Sequence, residues 1–415
     1  MRTRVALRGL GVALGGILPL LAADPSHGAE WSFEPSVGLR TEYNDNIQLT
    51  PEPHPAVWGM ILSPDLKFSG ATETLTVKGG LNLGFTRYLD QPQYNIDSYD
   101  LYLRSSYKLE RDVLGLDIDA IRDSTMASEL TTTGVVLAYS PRNQLNVKPS
   151  WSRAITEATS INASYGYSNT NYQDTSGTSL TGYLEQLASV GTQSKVDEGK
   201  VLNLAAYYER YETRPSQTRQ NTVGVLGGYD HAFSETLHSV FLVGWRWTRT
   251  TLSSQALICD GPIINGICSG TVTETTAVQK ENSSGLTLNA TLEKRSETDT
   301  VRGVISQEVN PSGAGSLVQT QRVGVAWTRQ WSPTLSSNID AGAYQTQYIG
   351  GVVTSSNSRY FSLNSSLSWR LSEAWRVDAG YSYARQKYDS APVAASANVV
   401  YLVLSYAWPK LSVSR

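Results

Sequence analysis

The chain is short of several things at once. Of its 415 residues only two are cysteine, three methionine, four histidine and six phenylalanine. That scarcity leaves no ligand set for a Cys/His metal centre and little material for nucleophile and base chemistry, so neither a metal nor a cofactor is expected. Positive charge is short as well, with 34 Lys and Arg against 37 Asp and Glu. Arg2, Arg4 and Arg8 are the only charges ahead of Asp24, so loss of a leader would widen the gap. A phosphate-rich partner wants a basic face, and nucleic acid is therefore excluded. Beyond Ala23 no run is both uncharged and continuously apolar over the roughly 20 residues that a membrane helix needs.

What is present starts with a leader. A basic start, the run "GLGVALGGILPLLAA" and a small-residue exit make a secretory signal peptide over residues 1–29, with cleavage expected after Ala23 or Ala29. No cysteine lies near either site, so no lipid anchor is expected. The remainder divides into a patterned body, residues 30–409, and a short tail, residues 410–415.

The body alternates with a period of two. Trp31, Phe33, Val37, Leu39 and Tyr43 interleave with Ser32, Glu34, Ser36, Gly38, Arg40 and Glu42. The same grammar returns at Phe241, Val243, Trp245 and Trp247, and at Phe361, Leu363, Leu367 and Trp369. Such segments outrun the typical five or six residues of a sandwich strand, and their aromatics sit near the ends, as interface girdles require. The 23 Tyr and 10 Trp suit side chains with one greasy end and one wet end. The pattern predicts an all-β protein, a transmembrane antiparallel up-and-down β-barrel in the bacterial outer membrane. A secreted β-sandwich is the competing reading.

Short connectors such as "SGATE", "LERD", "VDEGK" and "FSETL" alternate with longer polar ones such as "TPEPHP", "YQDTSGTS" and "NPSGAGS". These are the periplasmic turns and external loops of such a barrel. Pairing them gives about 18 strands, or 16 if two segments are misread, with residues 125–142 the hardest to assign. In lipid every backbone amide needs a partner, so the sheet must close. Leu402, Leu404, Tyr406 and Trp408 form an apolar series ending on an aromatic, which resembles the C-terminal signal that outer-membrane barrels present to the barrel assembly machinery.

Candidate functional residues are few. Cys259 and Cys268 flank "DGPIINGI" in the longest loop, and in an oxidising compartment a disulfide is expected, worth about 2 to 3 kcal/mol for so small a loop. His231 with Ser234 is the nearest thing to a base and nucleophile, but it falls on a short turn with no orienting acid in register, and no catalytic residue is assigned. The inward positions carry Arg40, Glu42, Lys78, Asp100, Arg104, Lys108, Arg246, Arg370, Arg376 and Asp378, mixed in sign, as in a hydrated lumen without a charge filter. Tyr43, Asn44, Asp45 and Asn46 fall at the outer rim of the first strand. Asn and Asp there serve first to cap the strand end. Glycan contact and a cation site are the alternatives, although one carboxylate and two amides fall short of a calcium shell.

The opening "EWSFEPSVGLRTEYNDNIQLTP", and within it Tyr43 to Ile47, resembles the start of the porin-like outer-membrane barrels associated with exopolysaccharide and exosortase (PEP-CTERM) systems. The resemblance implies a non-enzymatic barrel, a conduit for exopolysaccharide export or polar solutes, with polysaccharide export components as partners. Outer-membrane lipid and lipopolysaccharide are expected around it. The rival readings are a barrel enzyme hydrolysing lipid or peptide at the rim, and a structural or adhesive barrel with a filled lumen.

Overall fold

The computed structural model describes residues 30–51, 54–133, 139–173, 180–214, 218–260, 263–264, 267–269, 271–349 and 357–414. The leader and both cleavage sites lie outside the described residues. The first strands are β1 Glu30–Asn44, β2 Val57–Ala71, β3 Leu75–Tyr88, β4 Ile96–Lys108, β5 Asp112–Ser124, β6 Pro141–Ala154 and β7 Thr159–Tyr172. There follow β8 Gly182–Asp197, β9 Lys200–Arg214, β10 Thr218–Ala232, β11 Leu237–Cys259, β12 Ile263–Ile264, β13 Ile267–Cys268 and β14 Val272–Arg295. The last are β15 Asp299–Pro311, β16 Leu317–Ser332, β17 Leu335–Ile349, β18 Ser358–Arg370, β19 Trp375–Tyr388, β20 Ala395–Ala407 and β21 Leu411–Ser414.

Apart from the β12–β13 hairpin and β21, each strand pairs antiparallel with its neighbours in sequence, and β20 returns to β1. The result is a closed barrel of 18 strands. Closure leaves no free edge, as a sheet in lipid requires. Short turns hold one end by serine and threonine chemistry. Thr72 Oγ1 accepts from Leu75 N at 2.9 Å, and Ser234 Oγ accepts from Leu237 N at 3.1 Å. Ser332 and Ser372 repeat the device two hairpins apart.

The alternation sorts side chains cleanly. On β11, Trp247 is 51% exposed, whereas its neighbours Arg246 and Thr248 are 3% and 2% exposed. Register carries the division around the barrel, so the exposed Leu204, Val225, Trp245, Leu286 and Ile305 form an outward apolar belt. Aromatics gather at the turn end, where Trp375 and Trp408 both lie about the Tyr406 ring, at 4.9 and 5.0 Å.

Three regions depart from a regular wall. The tail does not trail free, because Leu411–Ser414 resumes pairing as β21, against Glu30–Phe33 of β1. Pro409 lacks the N–H that would continue β20, so the ladder breaks there and restarts. Second, β11 and β14 pair as far as Cys259↔Val272, beyond the Thr218↔Leu252 pair at which β10 begins, and form a ribbon that overtops the wall. The Cys268 side chain, and with it the expected Cys259–Cys268 disulfide, lies outside the described residues. Third, β14 and β15 pair only as far as Leu288↔Gln307, while β15 and β16 stay paired up to Pro311↔Leu317. Above this fork the β15–β16 tip leaves the wall and turns into the lumen. Gln307 Nε2 caps the fork by donating to Leu286 O at 2.8 Å.

Candidate functional site

The buried residues mark where the lumen is filled. Nearly all of them sit at the long-connector end, which is the outer end for a barrel of this kind. Two segments converge there. One is the helix Thr125–Thr132 of the β5–β6 connector, begun by Ser124, whose Oγ accepts from Ala127 N at 3.3 Å. The other is the β15–β16 tip, Ser312 to Val318.

Each is held by hydroxyl and amide groups reaching inward from the wall. Tyr344 on β17 donates to Leu130 O on the helix. Tyr172 on β7 donates to the Glu129 carboxylate, which also accepts from Thr133 Oγ1 at 3.1 Å. On the tip, Tyr211 OH donates to Ser312 O at 2.9 Å, and Gln220 Oε1 accepts from Leu317 N at 2.8 Å. Gln220 Nε2 also ties in Ile349 O at 2.8 Å. Leu317 packs with Tyr183, Tyr211 and Ile349, and Leu130 with Leu49, Ala395 and Ala397. Burial of such a leucine contributes about 1.5 to 3 kcal/mol, enough to hold a short connector inside. Gly313 is required at its place: a Cβ there would lie 2.6 Å from the Tyr172 hydroxyl.

Glu129 is the most enclosed carboxyl of the two segments, at 1% exposure. Burial pushes its pKa up from 4.5, against the opposing effects of the Tyr172 hydroxyl and Arg142. Arg142 itself forks onto Asp123, with Nε and Nη2 both at 3.0 Å. Along the wall beneath the tip, Glu209 Oε1 and Arg246 Nε are buried and have no hydrogen-bond partner among the described residues. Arg246 Nη2 reaches Gln319 Oε1 across the fork at 2.8 Å.

Toward the turn end the lumen opens and its charges are wet, whereas Glu42 and Arg246 nearer the outer end are buried. The ten inward candidates all fall in the face opposite the apolar belt. Arg40 pairs with Glu42 at 2.7 Å and stacks over Tyr401, and Glu42 accepts from Tyr88 OH at 2.9 Å. Arg104 meets Asp119 at 2.5 Å and Asp117 at 3.7 Å, both on the adjoining β5, with Asp100 four residues away on its own strand. Arg376 pairs with Asp378 at 3.3 Å. Lys78, Lys108 and Arg370 are exposed to the lumen near the turn end. A cleft of about 440 Å³ opens beside the helix, bordered by Arg40, Glu42, Asn44, Tyr88, Asp123 and Tyr139.

The rim motif fastens the closing seam of the barrel. Asp45 accepts from Asn398 N and Asn398 Nδ2, both at 2.7 Å, and so clamps the end of β1 to β20. Asn44 Oδ1 accepts from Asn46 N at 2.9 Å. The buried Asn46 amide donates to Thr50 O and Ser396 O at 2.9 Å and accepts from Thr50 N. Tyr43 points outward onto Trp58, with ring centroids 5.1 Å apart. Leu402 and Leu404 on β20, and Trp408 just past its end, are exposed.

The histidines gather no nucleophile. His231 packs between Tyr229 and Phe233, with its ring 4.2 Å from Phe233, while Ser234 Oγ is spent on its own turn. The acid near this turn pairs elsewhere, as His238 Nε2 and Asp230 Oδ1 are 2.6 Å apart. Among the described residues no group of three His, Cys, Asp or Glu side chains could hold a metal.

The constriction is what sequence reasoning missed. Its hydroxyls sit on the same inward face as the charged candidates, and the pairs Ser168↔Glu185 and Leu187↔Glu209 put two more carboxyls there. The available signal was the apolar content of the connectors, "TMASEL" and "GAGSLV", where exposed loops would be wholly polar.

No protein-family model matches the chain, and no curated protein does. Among solved structures it is similar to OccAB2 of Acinetobacter baumannii, at 11% identity over 91% of this chain and 98% of that one, with a TM-score of 0.45. It is similar also to OccK2 (OpdF) of Pseudomonas aeruginosa in complex with glucuronate, at 10% identity over 90% and 97%, with a TM-score of 0.44. The outer membrane protein opdK of Pseudomonas aeruginosa stands at 10% identity over 92% and 99%, also with a TM-score of 0.44. Likeness at this level assigns no solute to this chain. Its own closed sheet, outward apolar belt and aromatic girdle make it a protein of the bacterial outer membrane.

Proposed function

We propose that the protein is a non-enzymatic outer-membrane pore for polar solutes, with the Thr125–Thr132 helix and the β15–β16 tip deciding what passes. One observation carries this reading. A polar inner face runs the length of the barrel and leads to a constriction whose buried polar atoms are not all used, Glu209 Oε1 and Arg246 Nε among them. A solute rich in hydroxyl or amide groups and of low net charge suits such a path. The lumen's charges largely compensate one another, as in Arg40 with Glu42 and Arg376 with Asp378, so no field of one sign selects an ion.

Planar-bilayer recording with the full chain tests the proposal. Discrete single-channel steps, together with liposome swelling in small neutral sugars, are expected. Absence of both would overturn it in favour of a structural barrel with a filled lumen, a reading that the packing of Leu130 and Leu317 favours.

Export of an exopolysaccharide is the narrower form of the proposal, and it rests on the resemblance of the opening strand. Passage of a polymer requires both inward segments to leave the lumen. Loss of the gene with unchanged surface polysaccharide would remove this form, and polysaccharide export components as partners with it. The Leu402, Leu404, Tyr406 and Trp408 series is the segment that the assembly machinery engages on this reading.

A further inference from the structure

We propose that the outward face of β18 and β19, with the groove that adjoins it, binds the phosphorylated headgroup of an outer-leaflet lipid. Arg359 and Lys387 stand directly opposite each other in the β18–β19 register, with Arg385 two residues below Lys387 on the same face. All three are exposed, and they lie near the outer ends of their strands, where lipid headgroups begin. Side chains opposite one another across such a pair have Cβ atoms roughly 5 Å apart, and like charges so placed destabilise the sheet.

Among the described residues no carboxylate stands within ion-pairing distance to relieve that repulsion. Among the described residues none of the three makes an ion pair or a hydrogen bond. Of the two adjoining connectors, residues 350–356 read "GGVVTSS" and contain no acid, and the other carries Asp389, whose backbone N–H donates to Asn357 O at 2.9 Å and whose carboxylate forms no ion pair with the three cations. Several other outward arginines are neutralised at home: Arg87 by Asp97 at 2.7 Å, Arg219 by Glu212 at 2.8 Å and Arg153 by Asp112 at 3.6 Å. Three unpaired cations in one patch call for an anion from outside.

The surroundings say which kind of anion. From Arg359 the register runs sideways through Gln345, Gln321 and Gln307, a polar row on the outward face. Beneath that row lie Ile305, Val323 and Phe361, apolar and exposed. A groove of about 500 Å³ lies between the two levels, lined by Leu288, Ile305, Val323, Gln321, Gln345 and Arg359. The guanidinium groups match a phosphate bidentately and Lys387 adds a point charge. The glutamine amides suit a sugar or ester headgroup, and the apolar floor takes the start of an acyl chain. A free phosphate would use the cations alone.

The test is native mass spectrometry of the detergent-purified full chain with bis-phosphorylated lipid A, the same lipid A without phosphates, and inorganic phosphate. The intact protein is expected to retain the phosphorylated lipid about tenfold or more over the dephosphorylated one. The Arg359→Gln, Arg385→Gln, Lys387→Gln variant is expected to erase that preference, its folding checked by heat-modifiable migration. Arg249→Gln with Lys280→Gln, an outward charge loss on β11 and β14, is expected to keep it. Equal retention of the two lipids, an unaffected triple variant, or displacement of the lipid by equimolar inorganic phosphate would overturn the assignment.

Discussion

The two halves of the lumen are built from one alternation and do opposite things with it. At the turn end, inward Lys78, Lys108, Arg370 and Arg376 stand exposed. At the outer end the same face presents Tyr172, Tyr183, Tyr211 and Gln220, and every one of these lies against an inserted connector or a residue packed on it. The difference lies in what enters the lumen: a charged side chain keeps its water, whereas a tyrosine offers a ring to pack and a hydroxyl to satisfy a loop's backbone. Outer connectors of a barrel carry backbone polar groups that need partners once inside. The tyrosine and amide hydrogens supply them.

The strongest way to break the contrast is to empty the outer half. Replacing residues 125–133 by a short polar linker and deleting Ser312 to Ser316 removes the helix and the tip together. Single-channel conductance is expected to rise severalfold, with loss of discrimination by solute size, because the remaining wall is an open barrel of 18 strands. A smaller version of the same change is Gly313→Val. The added side chain meets the Tyr172 ring and expels the tip alone, so a partial rise is expected. Gly303→Val, where a Cβ meets nothing within 4 Å, is the matched control and is expected to conduct as the parent does.

How much of this was legible in the sequence differs between the halves for a physical reason. A wall strand announces itself because its two faces meet lipid and water, and the contrast is written every second residue; hence the strand count and turns such as "FSETL" could be read directly. Arg370 and Arg376 at the open end keep to that parity as well. The constriction was not legible, because it depends on contacts far apart in sequence, such as Tyr344 with Leu130 and Gln220 with Leu317. A connector such as "NPSGAGS" reads as a polar loop whether it points out or in. The clamp of Asp45 on Asn398 was hidden in the same way: the local pattern marked a strand end, and only closure of the barrel supplied the partner.

A third experiment sharpens the contrast through pH. Burial holds the Glu129 carboxyl above 4.5, so the docked helix binds a proton more tightly than the released helix does. Docking is therefore at full strength below 4.5 and weakens as pH rises through the window above that value. The facing groups are Arg142, Tyr172, Tyr183 and Tyr211, and of these only the arginine is charged throughout that range. Conductance measured from acid to neutral pH is expected to be low and then to increase. Glu129→Gln keeps the acceptor for Tyr172 and removes the titration, so its conductance is expected to stay flat. An unchanged slope in that variant would place the titrating group elsewhere.

The smallest effect is expected in the open half. Arg376 pairs with Asp378, and its side chain is 59% exposed, in water and dissolved salt. Arg376→Gln leaves one uncompensated carboxylate on the wall, which favours cations slightly. At about 0.1 M salt the screening length is about 10 Å, so that charge is felt near the wall and little at the centre. The reversal potential in a salt gradient is expected to shift by a small amount toward cation preference, with unchanged conductance, and the shift is expected to vanish in concentrated salt. Arg246→Gln makes the same loss of charge where the side chain is 3% exposed and tied to Gln319. It is expected to change both quantities and to resist added salt, because a buried charge is screened much less. If the two variants respond alike to salt, the outer half is as wet as the inner one, and the inserted connectors do not exclude water from the path.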